Sequence, residues 1–484
     1  MANAYDRVRY PSLTFAQTHP TATGAFAALF GRRFAPFGES RVLEVGCGEG
    51  VNLINMALGA PQAEFVGVDL AAEPVARARA TARSCSLANV SFHVRDLVDM
   101  GASFGQFDYI VAHGVYAWVP ARVREAILRV VSERHSADGL ALISYNALPG
   151  ARFREAIRDM LLYVTMGVEE PDVKLDLARS FLAEQIEAWS DAEADESAIK
   201  SEARRLLDRR PGVLYHDELA ESYAPQLLSD VAGAAAKFGL AYLCDAQPHL
   251  SEEALFPSDA YAATRERSGD DWVRFEQLAD FQAMRRFRYS IFHLGGGADR
   301  RREAARLRGL WACAELAVAR ADPEGPDGAA FEAGPRVKIT THDPKLAQFL
   351  ATLAAAYPLG LPLDAASENR VLAEHIFRLF TKQIIQLYTG QMPLVSVPGE
   401  RPNVSPLARI QAANGETALA TLRHHMIQIE DASVLALVPL IDGTRTRAEL
   451  ALEIARRHDV SEAVASTQLD EVLAKFARAG LMAG

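Results

Sequence analysis

The chain has 484 residues, and at about 100–200 residues per domain that length sets a prior of roughly two to four domains. Hydrophobic residues make up 49% and charged residues 23%, enough for several cores, so wholesale disorder is excluded. Lys and Arg number 51 against 62 Asp and Glu, a net charge of −11, which excludes a generic nucleic-acid binder. The cysteines Cys47, Cys85, Cys244 and Cys313 lie far apart with no CxxC pair, so neither a disulfide framework nor a zinc site is expected and a reducing compartment fits. The first residues lack the apolar core of a signal peptide and no stretch has the length of a membrane helix, so a soluble, cytoplasmic protein without membrane insertion is expected.

From Arg41 to Asn146 short apolar runs alternate with helical stretches. Strands are predicted at Arg41–Val45, Glu64–Leu70, Val90–Val94, Phe107–Ala112 and Leu140–Tyr145, with helices at Val51–Leu58, Glu73–Ser84 and Val119–Arg134. Five such strands separated by helices imply an α/β fold, a parallel doubly wound sheet covered on both faces. Beyond Gly150 the rhythm stops, and apolar residues such as Leu161, Leu177 and Phe181 recur at helical spacing, giving a helical insertion. Strand-like segments return at Leu240–Ala246 and Arg288–Leu294 as a candidate antiparallel pair completing the first sheet. Linkers are predicted at Gly295–Gly297 and Pro323–Pro335. The end of the chain reads as helix-rich, with Thr446 as an N-cap.

The strongest chemical signal is Glu44-Val45-Gly46-Cys47-Gly48-Glu49-Gly50. Glycines after a first strand let the backbone approach a ligand closely, and the next helix presents free N–H groups. Asp69 ends the second strand, where a carboxylate can accept hydrogen bonds from ribose hydroxyls. Asp96 follows the third strand, within reach of an exocyclic amine; Leu70 and Leu97, the residues after these two acids, join the candidate set. The loop is flanked by acids and carries no Lys or Arg, which suits a sulfonium and a free ammonium better than a pyrophosphate. That favours S-adenosylmethionine over a dinucleotide.

These motifs resemble those of class I S-adenosylmethionine-dependent methyltransferases. More specific phrases resemble bacterial methyltransferases with a methyltransferase regulatory domain, a group that includes rickettsial surface-protein lysine methyltransferases. They are Gln17-Thr18-His19-Pro20, Asn52-Leu53-Ile54, the run from Phe107 to Pro120, Ser144-Tyr145-Asn146 and Leu214-Tyr215-His216-Asp217-Glu218. The chain departs from that group's pattern at Val51 and Asn55. The resemblance implies a Rossmann-like sheet with a helical insertion and helix-rich, winged-helix-like C-terminal domains. It divides the chain into a cofactor-binding core over residues 1–150, a possible dimerisation insertion over 151–212 and a regulatory region over 213–297. A middle domain over 298–400 and a winged-helix-like domain over 401–484 follow. Gly46, Cys47, Gly48 and Gly50 would line the cofactor, Asp69 would hold the ribose and Asp96 would sit by the adenine. His113 would lie near the methionine end, with Glu44, Asn52 and Gln17 as polar contacts.

Bland readings stand beside these. Asp96 is also a favoured helix cap, and His113 equally suits a hydrogen-bonded core position. Tyr116 and Trp118 follow the fourth strand, either as an aromatic wall for an amine or as core packing. With His113 they form the candidate catalytic set. Cys47 has no paired base and reads as a small buried residue. Eight arginines between Arg285 and Arg308 read as a solvated face. His249, His424 and His425 lack companions at ligand spacing, so no metal is expected. The expected activity is methyl transfer to lysines of a protein substrate. A methyltransferase for a small metabolite and a non-catalytic cofactor-binding scaffold stay open.

Overall fold

The computed structural model describes residues 4–101, 104–247, 258–296 and 298–484, so His249 and Gly297 lie outside the described residues. Seven strands form the central sheet: β1 (Arg41–Val45), β2 (Glu64–Asp69), β3 (Val90–Val94), β4 (Phe107–Ala112), β5 (His135–Asn146), β6 (Leu240–Asp245) and β7 (Phe287–Leu294). Their order is β3-β2-β1-β4-β5-β7-β6; β1 to β5 run parallel, while β7 pairs antiparallel with β5 and β6. The two late segments therefore close the first sheet, as their apolar pattern predicts.

Side chains alternate between faces with the strand period of two. Val42, Phe65, Tyr109 and Ile291 join one core, under helices Val51–Gly59 and Ala72–Ser84. Their neighbours Leu43, Val66, Ile110 and Phe292 join the other, under helix Ala121–Arg134. Burial on both faces is why these strands read as unbroken apolar runs.

Four helices, Arg152–Val164, Pro171–Ala188, Ala194–Leu207 and Pro211–Glu218, make up the insertion around Ile157, Leu161, Leu175, Leu182 and Leu214. Residues 323–335 are not wholly a linker. They contain strand Ala329–Ala333, central in a three-stranded sheet, because Ala329 and Phe331 supply an apolar face to a further core. The last part holds a hairpin, Ala418–Ala420 with Met426–Gln428, and helices Arg447–His458 and Glu462–Ala479. Thr446 caps the first of these in a reciprocal capping box with Glu449.

The arginine-rich stretch is a solvated face at Arg301, Arg302 and Arg308, but not at its start. Arg285 and Arg288 are buried between β7, β6 and helix Trp272–Ala283. Arg288 forks onto both oxygens of Asp280 at 2.7 and 2.8 Å and reaches Glu276 at 2.9 Å, while Arg285 pairs with Asp245 and Asp280, each at 3.0 Å. Charges withdrawn from water need such partners. Among the described residues no helix is long and apolar enough to cross a membrane.

Candidate functional site

The turn after β1 is set by two close approaches. Gly46, at φ +72°, passes the Val115 side chain so tightly that a Cβ would lie 2.3 Å from its Cγ2. Gly50, at φ +71°, would place a Cβ 2.5 Å from the Phe92 ring. Only glycine fits both the left-handed backbone and the space. The turn ties itself to β2, because Gly46 and Cys47 N–H donate to the Val68 carbonyl and Gly48 N–H donates to Asp69 Oδ2 at 2.9 Å. Helix Val51–Gly59 then opens with its N-terminus at the turn.

A cavity of about 510 Å³ opens beside this turn at the carboxyl ends of β1, β2 and β4. The fold brings Glu44, Gly46, Cys47, Gly48, Asn52 and Asp69 to its wall, and with them Leu70, Asp96, Leu97, His113 and Trp118. Three expected residues are not on it. Gly50 is a packing glycine under Phe92, and Gln17 lies outside the lining of the cavity. Tyr116 is only 3% exposed, its ring 6.0 Å from that of Tyr145 in the core under helix Ala121–Arg134, because the short helical turn Tyr116–Trp118 directs it into the interior.

Glu44 is buried and accepts from Asn52 Nδ2 at 2.7 Å through Oε1, whereas Oε2 has no partner among the described residues. Burial pushes its carboxyl up to about 8, the nearby Asp69 charge adds to this and the Asn52 hydrogen bond opposes it. Asp69 accepts from Gly48 N–H and, through Oδ1, from Ala71 N–H at 2.9 Å, and burial raises its pKa. Asp96 Oδ1 accepts from Val98 N–H at 2.9 Å, so it caps a short turn and faces the cavity at once. Leu70 is 59% exposed, an apolar surface held at the cavity wall.

The other end of the cavity is aromatic. His113 stacks on Tyr289 at 5.4 Å, lies 3.9 Å from the Phe15 ring and shares a 2.8 Å hydrogen bond through Nδ1 with Ser144. Burial lowers its pKa to about 3, so the ring is neutral. Trp118 packs on Tyr223 at 4.6 Å and beneath the Arg154 guanidinium at 5.0 Å.

Sequence reading missed the N-terminal wall. Tyr5, Tyr10 and Phe15 line the cavity together with Glu49 and Asp217. Tyr5 stacks on His216 at 4.0 Å, and Arg9 grips both oxygens of Glu49 at 2.8 and 2.7 Å while reaching Glu416 at 3.2 Å. His216 and Asp217 lie in a phrase that carried the family resemblance; the N-terminal segment carries no glycine or acid motif to mark it.

A doubly wound sheet in this strand order, with a glycine turn after β1 and an acid at the end of β2, defines a class I methyltransferase fold. Three family models match the chain: "methyltransferase domain" over residues 37–198, "predicted methyltransferase regulatory domain" over 210–293 and "PKMT, C-terminal winged helix domain" over 400–465. The chain is 36% identical over 292 residues to an uncharacterized protein of Rickettsia prowazekii, covering 60% of this chain and about half (52%) of that one. It is 32% identical over 221 residues to a second uncharacterized protein of that organism, covering 45% of this chain and 88% of the relative. The solved structure of PKMT2 from Rickettsia typhi, known also in complex with AdoHcy, superposes with a TM-score of 0.87 at 22% identity, covering 98% of this chain and 100% of that one. The chain belongs to the bacterial methyltransferases that carry a methyltransferase regulatory domain.

Proposed function

We propose that the protein is an S-adenosylmethionine-dependent methyltransferase acting on lysine side chains of a protein substrate. The observation that carries the cofactor is the buried, unpartnered Glu44 Oε2 in a cavity that also presents Asp69, Asp96 and exposed Leu70. The donor set suits that molecule: an unpaired carboxylate for an ammonium, a second for ribose hydroxyls, an apolar side chain for a purine face and no basic residue of the glycine turn calling for phosphate. The AdoHcy complex of the PKMT2 neighbour supports the same reading.

When bound, S-adenosylmethionine supplies a methyl group on a positively charged sulfur, which leaves as a neutral thioether and needs no protonation. The chain's own residues then have to orient the reactants and exclude water. Glu44, Asp69 and the turn would hold the cofactor, and the aromatic end would receive the acceptor. His113 is neutral and so does not repel an incoming ammonium, and Trp118 lines the same cavity. An amine acceptor must lose its proton before attack, and water at the cavity mouth is a sufficient proton acceptor. The winged-helix match of the PKMT type and the added helical and C-terminal parts support a macromolecular acceptor.

Methyl-labelled S-adenosylmethionine incubated with the protein and a lysate tests this. Label in protein bands that hydrolyse to methylated lysine is the expected result. Label confined to small molecules, or no transfer, overturns it.

A further inference from the structure

Residue His424 lies in neither the glycine turn nor the sheet. It sits in the hairpin turn between strands Ala418–Ala420 and Met426–Gln428, at φ +62°, in the segment that matches the winged-helix model. Pairing of Thr421 N–H with the His425 carbonyl and of His424 N–H with the Thr421 carbonyl holds that backbone. The ring is 1% exposed and points into the first domain.

A directed chain of hydrogen bonds runs from it to the cavity. Asn55 Nδ2 donates to His424 Nδ1 at 2.9 Å, which leaves the proton of the neutral ring on Nε2. Nε2–H donates to Asn52 Oδ1 at 2.7 Å. Asn52 Nδ2 donates to Glu44 Oε1 at 2.7 Å. The far oxygen, Glu44 Oε2, is buried in the cavity wall without a partner. An asparagine amide rotated by half a turn would face Glu44 with oxygen instead of nitrogen, and the donor on His424 forbids that rotation. Phe15 N–H, at 3.1 Å from Asn52 Oδ1, supports the same orientation from the N-terminal segment.

We propose that His424 is a positioning residue by which the C-terminal domain orients Glu44 for the ammonium group of the ligand. The proposal rests on the S-adenosylmethionine reading and adds that, through His424, it is the amino-acid end of the ligand that senses the C-terminal domain. Burial keeps the ring neutral, consistent with a pKa held well below the usual histidine range.

Two nucleosides separate this from a merely structural role. S-adenosylhomocysteine carries the ammonium, whereas 5′-methylthioadenosine lacks the amino-acid end. His424→Phe and the smaller His424→Leu remove the donor, and His424→Gln restores an N–H. Calorimetry on the full chain should show affinity for S-adenosylhomocysteine falling about tenfold in the Phe and Leu variants, the usual effect of losing a hydrogen bond in a charged site. Affinity for methylthioadenosine should stay within about twofold, and the Gln variant should recover part of the loss. If wild type binds both nucleosides but the donor-free variants lose neither, or lose both equally, the positioning role is overturned while the cofactor reading stands. If wild type binds neither nucleoside, both are overturned.

Discussion

A single carboxyl group at the end of β1 has two opposed properties. Glu44 is buried with one oxygen unpartnered, and its pKa is raised to about 8, burial being the first cause. The folded, empty protein therefore retains a proton there that the unfolded chain releases above about 4.5. Raising the pH from about 5 to about 8 should thus withdraw stability from the wild type through this group. Glu44→Gln, with no proton to release, should lose less stability over that window; denaturant melts at the two pH values measure the difference. Binding has the opposite sign. A ligand ammonium selects the ionised carboxylate, so affinity for S-adenosylhomocysteine should rise as pH increases from 6.5 to 8 in the wild type. In Glu44→Gln it should be weak and nearly flat. A Gln variant with wild-type pH slopes in both measurements would show that Glu44 is not the group responsible.

Whole elements depend on residues whose rule is local. Gly50 combines a left-handed backbone with a Phe92 ring 2.5 Å from any Cβ. Adding the cost of that backbone, about 1–2 kcal/mol, to that of overpacking, about 1–3 kcal/mol, Gly50→Ala should lose about 3 kcal/mol in a denaturant melt. The glycine turn was legible in sequence, as were β1 to β5, because a strand buried on both faces and a turn that needs glycine leave continuous patterns in a few adjacent residues; the packing of Gly50 under Phe92, where a cofactor-lining place was expected, was not. Asp69 was legible for the same reason, since it ends a strand. Tyr116 was not: position after β4 marks the neighbourhood of the site, but the direction of one side chain in the turn Tyr116–Trp118 depends on packing against Tyr145. The fate of Arg285 and Arg288 was hidden too: Asp280 and Glu276 are close in sequence, but the burial of all four depends on β6 and Asp245 packing over them, 43 residues from Arg288 along the chain. Those partners make the element testable. Arg288→Met leaves Asp280 and Glu276 buried with much of their compensation gone, and a loss of about 3–5 kcal/mol is expected, the usual cost of breaking a buried pair. Calorimetric melting would detect it, and a loss below 1 kcal/mol would mean that Arg285 alone balances the acids.

Across the molecule, the cavity is closed by chain segments remote from its glycine turn. Phe15 reaches Asn52 across 37 residues and His424 reaches it across 372, separations at which no sequence pattern signals contact. Arg9 is the clearest of these ties, for one guanidinium joins Glu49 beside the turn to Glu416 near the end of the chain. Glu49 keeps a second partner, Arg77 at 2.7 Å, so its carboxylate is not stranded when Arg9 is removed. The Arg9 side chain is 57% exposed, and exposed pairs add little to global stability. What Arg9 controls is the segment from Tyr5 to Phe15, which walls the cavity. Arg9→Ala should therefore leave the melting temperature nearly unchanged and release a bound nucleoside several times faster in a stopped-flow chase. High salt screens exposed charges, so wild type in about 0.5 M salt should move toward the variant's rate. The variant should respond little to the same salt. Equal release rates for the two proteins at low salt would show that Arg9 does not hold the N-terminal segment over the cavity and that its aromatic contacts with His216 and His113 and its hydrogen bonds, such as Phe15 N–H to Asn52, suffice.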